Sequence, residues 1–133
     1  MNRLSAVVTR IEGEQNLHII TFDCEGSTLK MMGLDLPKGL CVNTHVTLGV
    51  KPSHVAIAKH LSGELSYSNQ LSATISSIEN GKLLSNVLLD VHGSEVQSII
   101  TLSSSTRMNL QIGDNVTLLM KASELFVLEV LNA

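Results

Sequence analysis

The feature that most constrains this chain is an internal duplication. Displaced by 67 positions, residues 2–30 lie over residues 69–97 without a gap, and ten of those 29 positions are identical. Asn2, Leu4, Ser5, Ala6, Ile11, Glu12, Leu17, Asp23, Gly26 and Ser27 meet Asn69, Leu71, Ser72, Ala73, Ile78, Glu79, Leu84, Asp90, Gly93 and Ser94. After a three-residue insertion in the second copy the displacement becomes 70. Leu40, Val46, Thr47, Leu48, Lys51, Ser53 and Leu61 then meet Leu110, Val116, Thr117, Leu118, Lys121, Ser123 and Leu131. Two registers kept on either side of one insertion in a loop-like place mark a repeated unit. The expected division is a first unit over 1–61, a linker over 62–67 and a second unit over 68–133.

Each copy reads as β-structure. Leu4, Ala6 and Val8 alternate with Ser5, Val7 and Thr9, and Leu71, Ala73 and Ile75 repeat the pattern. Val46, Leu48 and Val50 alternate again, as do Val116, Leu118 and Met120. Gly26 and Gly93 stand between strand-like runs, where a turn needs a positive φ. The one helix candidate is Ser103–Leu110, opened by serines able to cap it. Its counterpart, Leu34-Asp35-Leu36-Pro37, carries a proline and predicts a turn. Short, evenly spaced strands with one helical turn predict an all-β fold of two tandem OB-like barrels, each of five or six strands. A unit of ~60 residues buries only about 60% of its unfolded surface, so the two are expected to pack together and the chain to form a homo-oligomer, a dimer or trimer.

Composition narrows the function. Of 133 residues, 44% are hydrophobic and 16% charged, which predicts a packed domain. A net charge of −3 gives no whole-molecule attraction to nucleic acid or to an anionic membrane surface. Phe22, Tyr67 and Phe126 are the only aromatic residues, too few for a base-stacking platform. No apolar run approaches the ~18 residues of a membrane span, and the first residues lack the apolar core of a signal peptide, so a cytoplasmic chain is expected. Cys24 and Cys41 fit neither a CxxC pair nor a zinc-ligand set, and both are expected as buried, reduced thiols. His54 and His60, six residues apart, match the spacing of neither a strand face nor a helix face, and no metal site is expected. No nucleophile elbow, phosphate loop or Ser/His/Asp order is present, so no enzyme is expected.

The second copy contains Ser66-Tyr67-Ser68-Asn69-Gln70-Leu71-Ser72-Ala73 and closes on Val116-Thr117-Leu118-Leu119-Met120-Lys121-Ala122-Ser123. Together these resemble the Mop/TOBE family of oxyanion-binding domains, whose pattern opens on Ser-Ala-Arg-Asn and ends on Val-Thr-x-x-x-Lys-Ala-Ser. Leu88-Leu89-Asp90-Val91, followed by Gly93 and Ile99-Ile100-Thr101, resembles the family's middle. The first copy, ending Val46-Thr47-Leu48-Gly49-Val50-Lys51-Pro52-Ser53, is a fainter match. The two copies cover nearly the whole chain, with no ATPase or winged-helix segment beside them. The arrangement is therefore similar to tandem (di-Mop) molybdate-binding proteins of the molbindin type.

The resemblance implies molybdate or tungstate held at interfaces between units, for storage, buffering or delivery. The matched positions are Ser66, Asn69, Lys121 and Ser123, with Lys51 and Ser53 added by the repeat. Serine hydroxyls, backbone N–H groups and an ammonium are suitable donors for a tetrahedral dianion. At one place the pattern departs: Ser68 stands where the family has arginine. The implied partners are a molybdate transporter or molybdenum-cofactor assembly proteins. The competing expectation is a TOBE-like interaction module accessory to such a transporter, with little or no anion binding.

Overall fold

The computed structural model describes residues 1–131, so positions 132 and 133 of the second unit's expected span lie outside the described residues. Strands β1 (Asn2–Glu14), β2 (Leu17–Cys24), β3 (Ser27–Gly33), β4 (His45–Val50) and β5 (Ala56–Ala58) come from the first copy. A 3-10 turn over Pro52–His54 separates β4 from β5. Strands β6 (Asn69–Asn80), β7 (Leu84–Val91), β8 (Ser94–Thr101), β9 (Asn115–Met120) and β10 (Phe126–Leu131) come from the second, with helix α1 (Leu102–Arg107) before β9.

The alternation read from the sequence is the burial pattern observed. Leu4, Ala6 and Val8 are buried on β1 while Arg3 and Ser5 face out, and β6 repeats this with Leu71, Ala73 and Ile75. Both predicted glycine turns are present. Glu25-Gly26 has φ of 49° and 90°, and His92-Gly93 has 53° and 85°, closing two-residue hairpins between Cys24 and Ser27 and between Val91 and Ser94. Positive φ at both central residues gives a turn whose twist matches that of the flanking strands. At equivalent points of the two long strands the register slips by one residue, at Thr9 and at Ser76. There each hydroxyl donates to a carbonyl across the strand pair, Thr9 to Thr21 at 3.2 Å and Ser76 to Leu88 at 3.1 Å. Such bulges bend a strand and let a five-stranded sheet curl.

The sheets run β10-β4-β1-β2-β3 and β5-β9-β6-β7-β8. Each copy therefore sends its last strand into the other copy's sheet: β5 pairs with β9, and β10 with β4. The repeat boundary along the sequence and the folded barrels thus differ by one exchanged strand each. The result is two OB-like barrels over one continuous core, reaching from Val8, Phe22 and Leu48 to Leu71, Leu89 and Leu118. Packing of β10 on β4 depends on Gly49, where a Cβ would lie 2.7 Å from Leu128 Cγ and 2.9 Å from Phe126 Cε2.

Two expectations need correction in detail. The helix begins one residue before the serines, because the Thr101 side chain caps it by accepting from the Ser104 N–H at 3.1 Å. Cys24 is buried, but Cys41 is exposed in the loop before β4, with its Sγ 3.1 Å from Thr44 Oγ1. Both thiols are free. Over residues 34–37, as the proline predicts, there is no helix.

Candidate functional site

Strand β9 ends at Met120, and the chain turns through Lys121–Glu124, closed by the Glu124 N–H donating to the Lys121 carbonyl at 3.0 Å. The Met32 N–H of β3 donates to the Ala122 carbonyl at 2.9 Å, which fastens this turn to the free edge of the first copy's sheet. Between the turn, the segment entering β6 and that edge lies a cavity of about 530 Å³. The second copy contributes Ser66, Ser68, Lys121, Ala122 and Ser123, and the first contributes Glu12, Ile19, Lys30 and Met32. Three of the residues expected from the sequence, Ser66, Lys121 and Ser123, therefore share one cavity.

The remaining three are placed elsewhere. Asn69 is fully buried, and its amide is spent on a backbone clamp. The Lys30 N–H donates to Asn69 Oδ1 at 2.6 Å, and Asn69 Nδ2 donates to the Lys30 carbonyl at 2.9 Å. Asn2 does the same to Gln97, with both bonds at 2.8 Å. In this geometry the Asn69 side chain is a fastening between copies and is not part of the cavity lining. Lys51 and Ser53 are exposed around the 3-10 turn that packs on β8, outside the cavity that holds Lys121. That turn meets its repeat equivalent directly, because His54 Nδ1–H donates to Glu124 Oε2 at 2.8 Å.

Sequence reasoning missed Lys30 and Glu12 as cavity residues and read Ser68 only as a lost arginine. Lys30 has no partner in the repeat, since Gln97 occupies the equivalent position. Nothing local in the sequence marks a β3 side chain as facing the other copy's closing turn. Chemically the cavity offers three hydroxyls and two ammonium groups against one carboxylate, and Glu12 has Arg10 beside it at 3.5 Å. That balance suits a small polar anion. Among the described residues, no three His, Cys, Asp or Glu side chains are grouped to hold a metal ion. No helix of the described residues is long and apolar enough to cross a membrane.

The model of the TOBE domain matches residues 65–127. The molybdenum import ATP-binding protein ModC of Brucella abortus (strain 2308) is 34% identical over 85 residues, 63% of this chain and 24% of that protein. The homologue of Brucella suis biovar 1 gives the same figures. The chain thus spans about a quarter of the length of the curated relatives it matches. Among solved structures, the cytoplasmic molybdate-binding protein ModG, with molybdate bound, superposes with a TM-score of 0.89. The match covers 95% of this chain and 94% of ModG at 23% identity, and so establishes a common tandem fold. A molybdate-binding protein from Sporomusa ovata is 36% identical, over 53% of this chain and all of its own, with a TM-score of 0.47. Residues 65–127, just under half of the chain, are thus similar to the TOBE domain, and the whole chain shares the tandem fold of ModG.

Proposed function

We propose that this chain is a non-catalytic binding protein for molybdate or tungstate, which it stores, buffers or passes on. The observation that carries this reading is the convergence of Ser66, Ser68, Ser123, Lys121 and Lys30 on one cavity between the copies. A tetrahedral dianion needs several short donors on a concave surface, and charge-assisted hydrogen bonds contribute about 1.5–3 kcal/mol each. Four or five reach the ~8 kcal/mol of a micromolar site after ordering costs. Support also comes from the molybdate bound to ModG on the same fold, and from the molybdenum-import role of ModC.

The proposed setting is cytoplasmic. The proposed partners are further copies of the chain in a dimer or trimer, and a molybdate transporter or molybdenum-cofactor assembly proteins. The proposed unit of duplication remains 1–61 and 68–133 about a linker at 62–67, with the closing strands exchanged.

Isothermal titration with molybdate, tungstate and sulfate tests the reading. Micromolar or tighter binding of the first two with weak sulfate binding is expected. Lys121→Ala should lower the affinity roughly 10- to 150-fold, the loss of one charge-assisted contact, without unfolding the protein. If none of the anions gives heat or thermal stabilisation, the binding reading fails and the chain is an interaction module.

A further inference from the structure

The cavity draws its second cation from the other copy. Lys30 and Met32 sit two apart on β3 and so share a face, and both line the cavity, while Leu29 and Met31 point into the core. What holds Lys30 there is unusual for an edge strand. Its N–H and carbonyl, which face away from β2, are both taken by the buried Asn69 amide. Two residues on, the Met32 N–H is taken by Ala122 of the turn carrying Lys121 and Ser123. The backbone under Lys30 is thereby pinned to the second copy on both sides of the site. The duplicated arrangement has the same clamp, Asn2 on Gln97, but no cation on it. There the Gln97 side chain instead donates to Asn86 Oδ1 at 2.8 Å.

We infer that Lys30 is an anion-binding residue of this site, contributed across the copies and aimed by Asn69, so that two ammonium groups rather than one face the bound oxyanion. Two cations brought to one cavity repel each other when it is empty and are relieved when a dianion lies between them. Serine hydroxyls alone hydrogen-bond an anion without matching its charge. The lining sets two lysines against the one carboxylate of Glu12, which has Arg10 3.5 Å away, so the cavity favours a dianion over a monoanion of the same shape. Position 68, a serine, supplies no charge of its own, which leaves Lys30 and Lys121 as the cations of the cavity.

This inference rests on the oxyanion reading above, and its test separates the two. Molybdate and perrhenate, a dianion and a monoanion of similar shape, are titrated into the wild-type protein and into Lys30→Gln, Lys30→Arg and Lys121→Ala. Glutamine is the residue that the equivalent clamp already carries, so the Lys30→Gln protein is expected to keep its unfolding midpoint. Molybdate affinity should fall at least tenfold in Lys30→Gln, with a smaller loss for perrhenate, and recover within about threefold in Lys30→Arg. Wild-type binding that weakens in Lys121→Ala but is unchanged in Lys30→Gln overturns this inference and leaves the site standing. An equal loss for both anions overturns the charge-matching argument. A wild-type protein that binds neither anion removes the reading beneath it.

Discussion

Replacing Asn69 by alanine tests whether the two copies are fastened as described. The side chain is fully buried, and its amide meets the outward N–H and carbonyl of Lys30, at 2.6 and 2.9 Å. Truncation removes two hydrogen bonds and leaves two backbone groups at a partly covered strand edge. A net hydrogen bond is worth about 0.5–1.5 kcal/mol, and a stranded buried group costs about 1–3 kcal/mol. Water can reach one side of this edge, so the sum is placed at about 2–3 kcal/mol. For a chain of this size that lowers the melting temperature by roughly 5–15 °C. The check is urea unfolding followed by circular dichroism at pH 7 without added oxyanion, in wild type, Asn69→Ala and Asn2→Ala. Asn2→Ala should cost a similar amount, because its two 2.8 Å bonds to Gln97 repeat the geometry. If Asn69 were only a ligand, the unliganded variant would unfold with the wild type. A change below about 0.5 kcal/mol, the size of an ordinary surface substitution, would refute the clamp.

Two further predictions concern titration and thiols. The Gln111 backbone N–H, then Lys59 at 3.1 Å, hold the Asp114 carboxyl below its ordinary range. A depressed carboxyl stabilises the fold above its unfolded value and stops doing so as pH falls through the folded one. Asp114→Asn should therefore unfold more easily at pH 7, and the gap to wild type should close on acidification below the ordinary aspartate range. A gap independent of pH, measured by thermal melts across that range, would refute the pairing. Burial, then the carboxylates of Glu25 and Asp23, push the Cys24 thiol up, whereas Cys41 is exposed. An aromatic disulfide reagent at neutral pH should titrate one thiol quickly and the second only in denaturant. Two fast thiols would contradict the burial of Cys24.

How much of this was legible in the sequence depends on whether the cause was local. The alternation of Leu4, Ala6 and Val8 and the turn at Gly26 are local consequences of pleat and φ, and they appear as written. The destination of β5 and β10 is not local. Ala56-Ile57-Ala58 can close its own barrel or the neighbouring one with similar ladder bonds, and only the folded path of the preceding turn decides between them. Asn69 shows how a motif misleads. It lies in a segment that resembles an anion-binding opening, yet its amide closes a backbone clamp that Asn2 repeats in the other copy. A residue kept in both copies and making the same two bonds in each points to a task both copies share, here the clamp on an edge strand. Lys30 was hidden for the converse reason, because it is unique to one copy.

The exchange of strands and the composition of the site are connected. Strand β10 closes the first sheet only by leaving the second copy through the turn that carries Lys121 and Ser123. That crossing lays the turn beside the open edge of β3, where Met32 and Lys30 wait. Had each copy kept its own last strand, nothing would carry the turn across to the other sheet, and the cavity would lose its first-copy wall. The same crossing occurs in the other direction through Lys51–His54, and the two turns are joined by the His54–Glu124 contact. Duplication therefore supplied two equivalent crossings with two equivalent clamps. The difference between them lies in the side chains, since Lys30 stands on one clamp and Gln97 on the other. A symmetric scaffold has in this way come to carry different side chains at its two crossings.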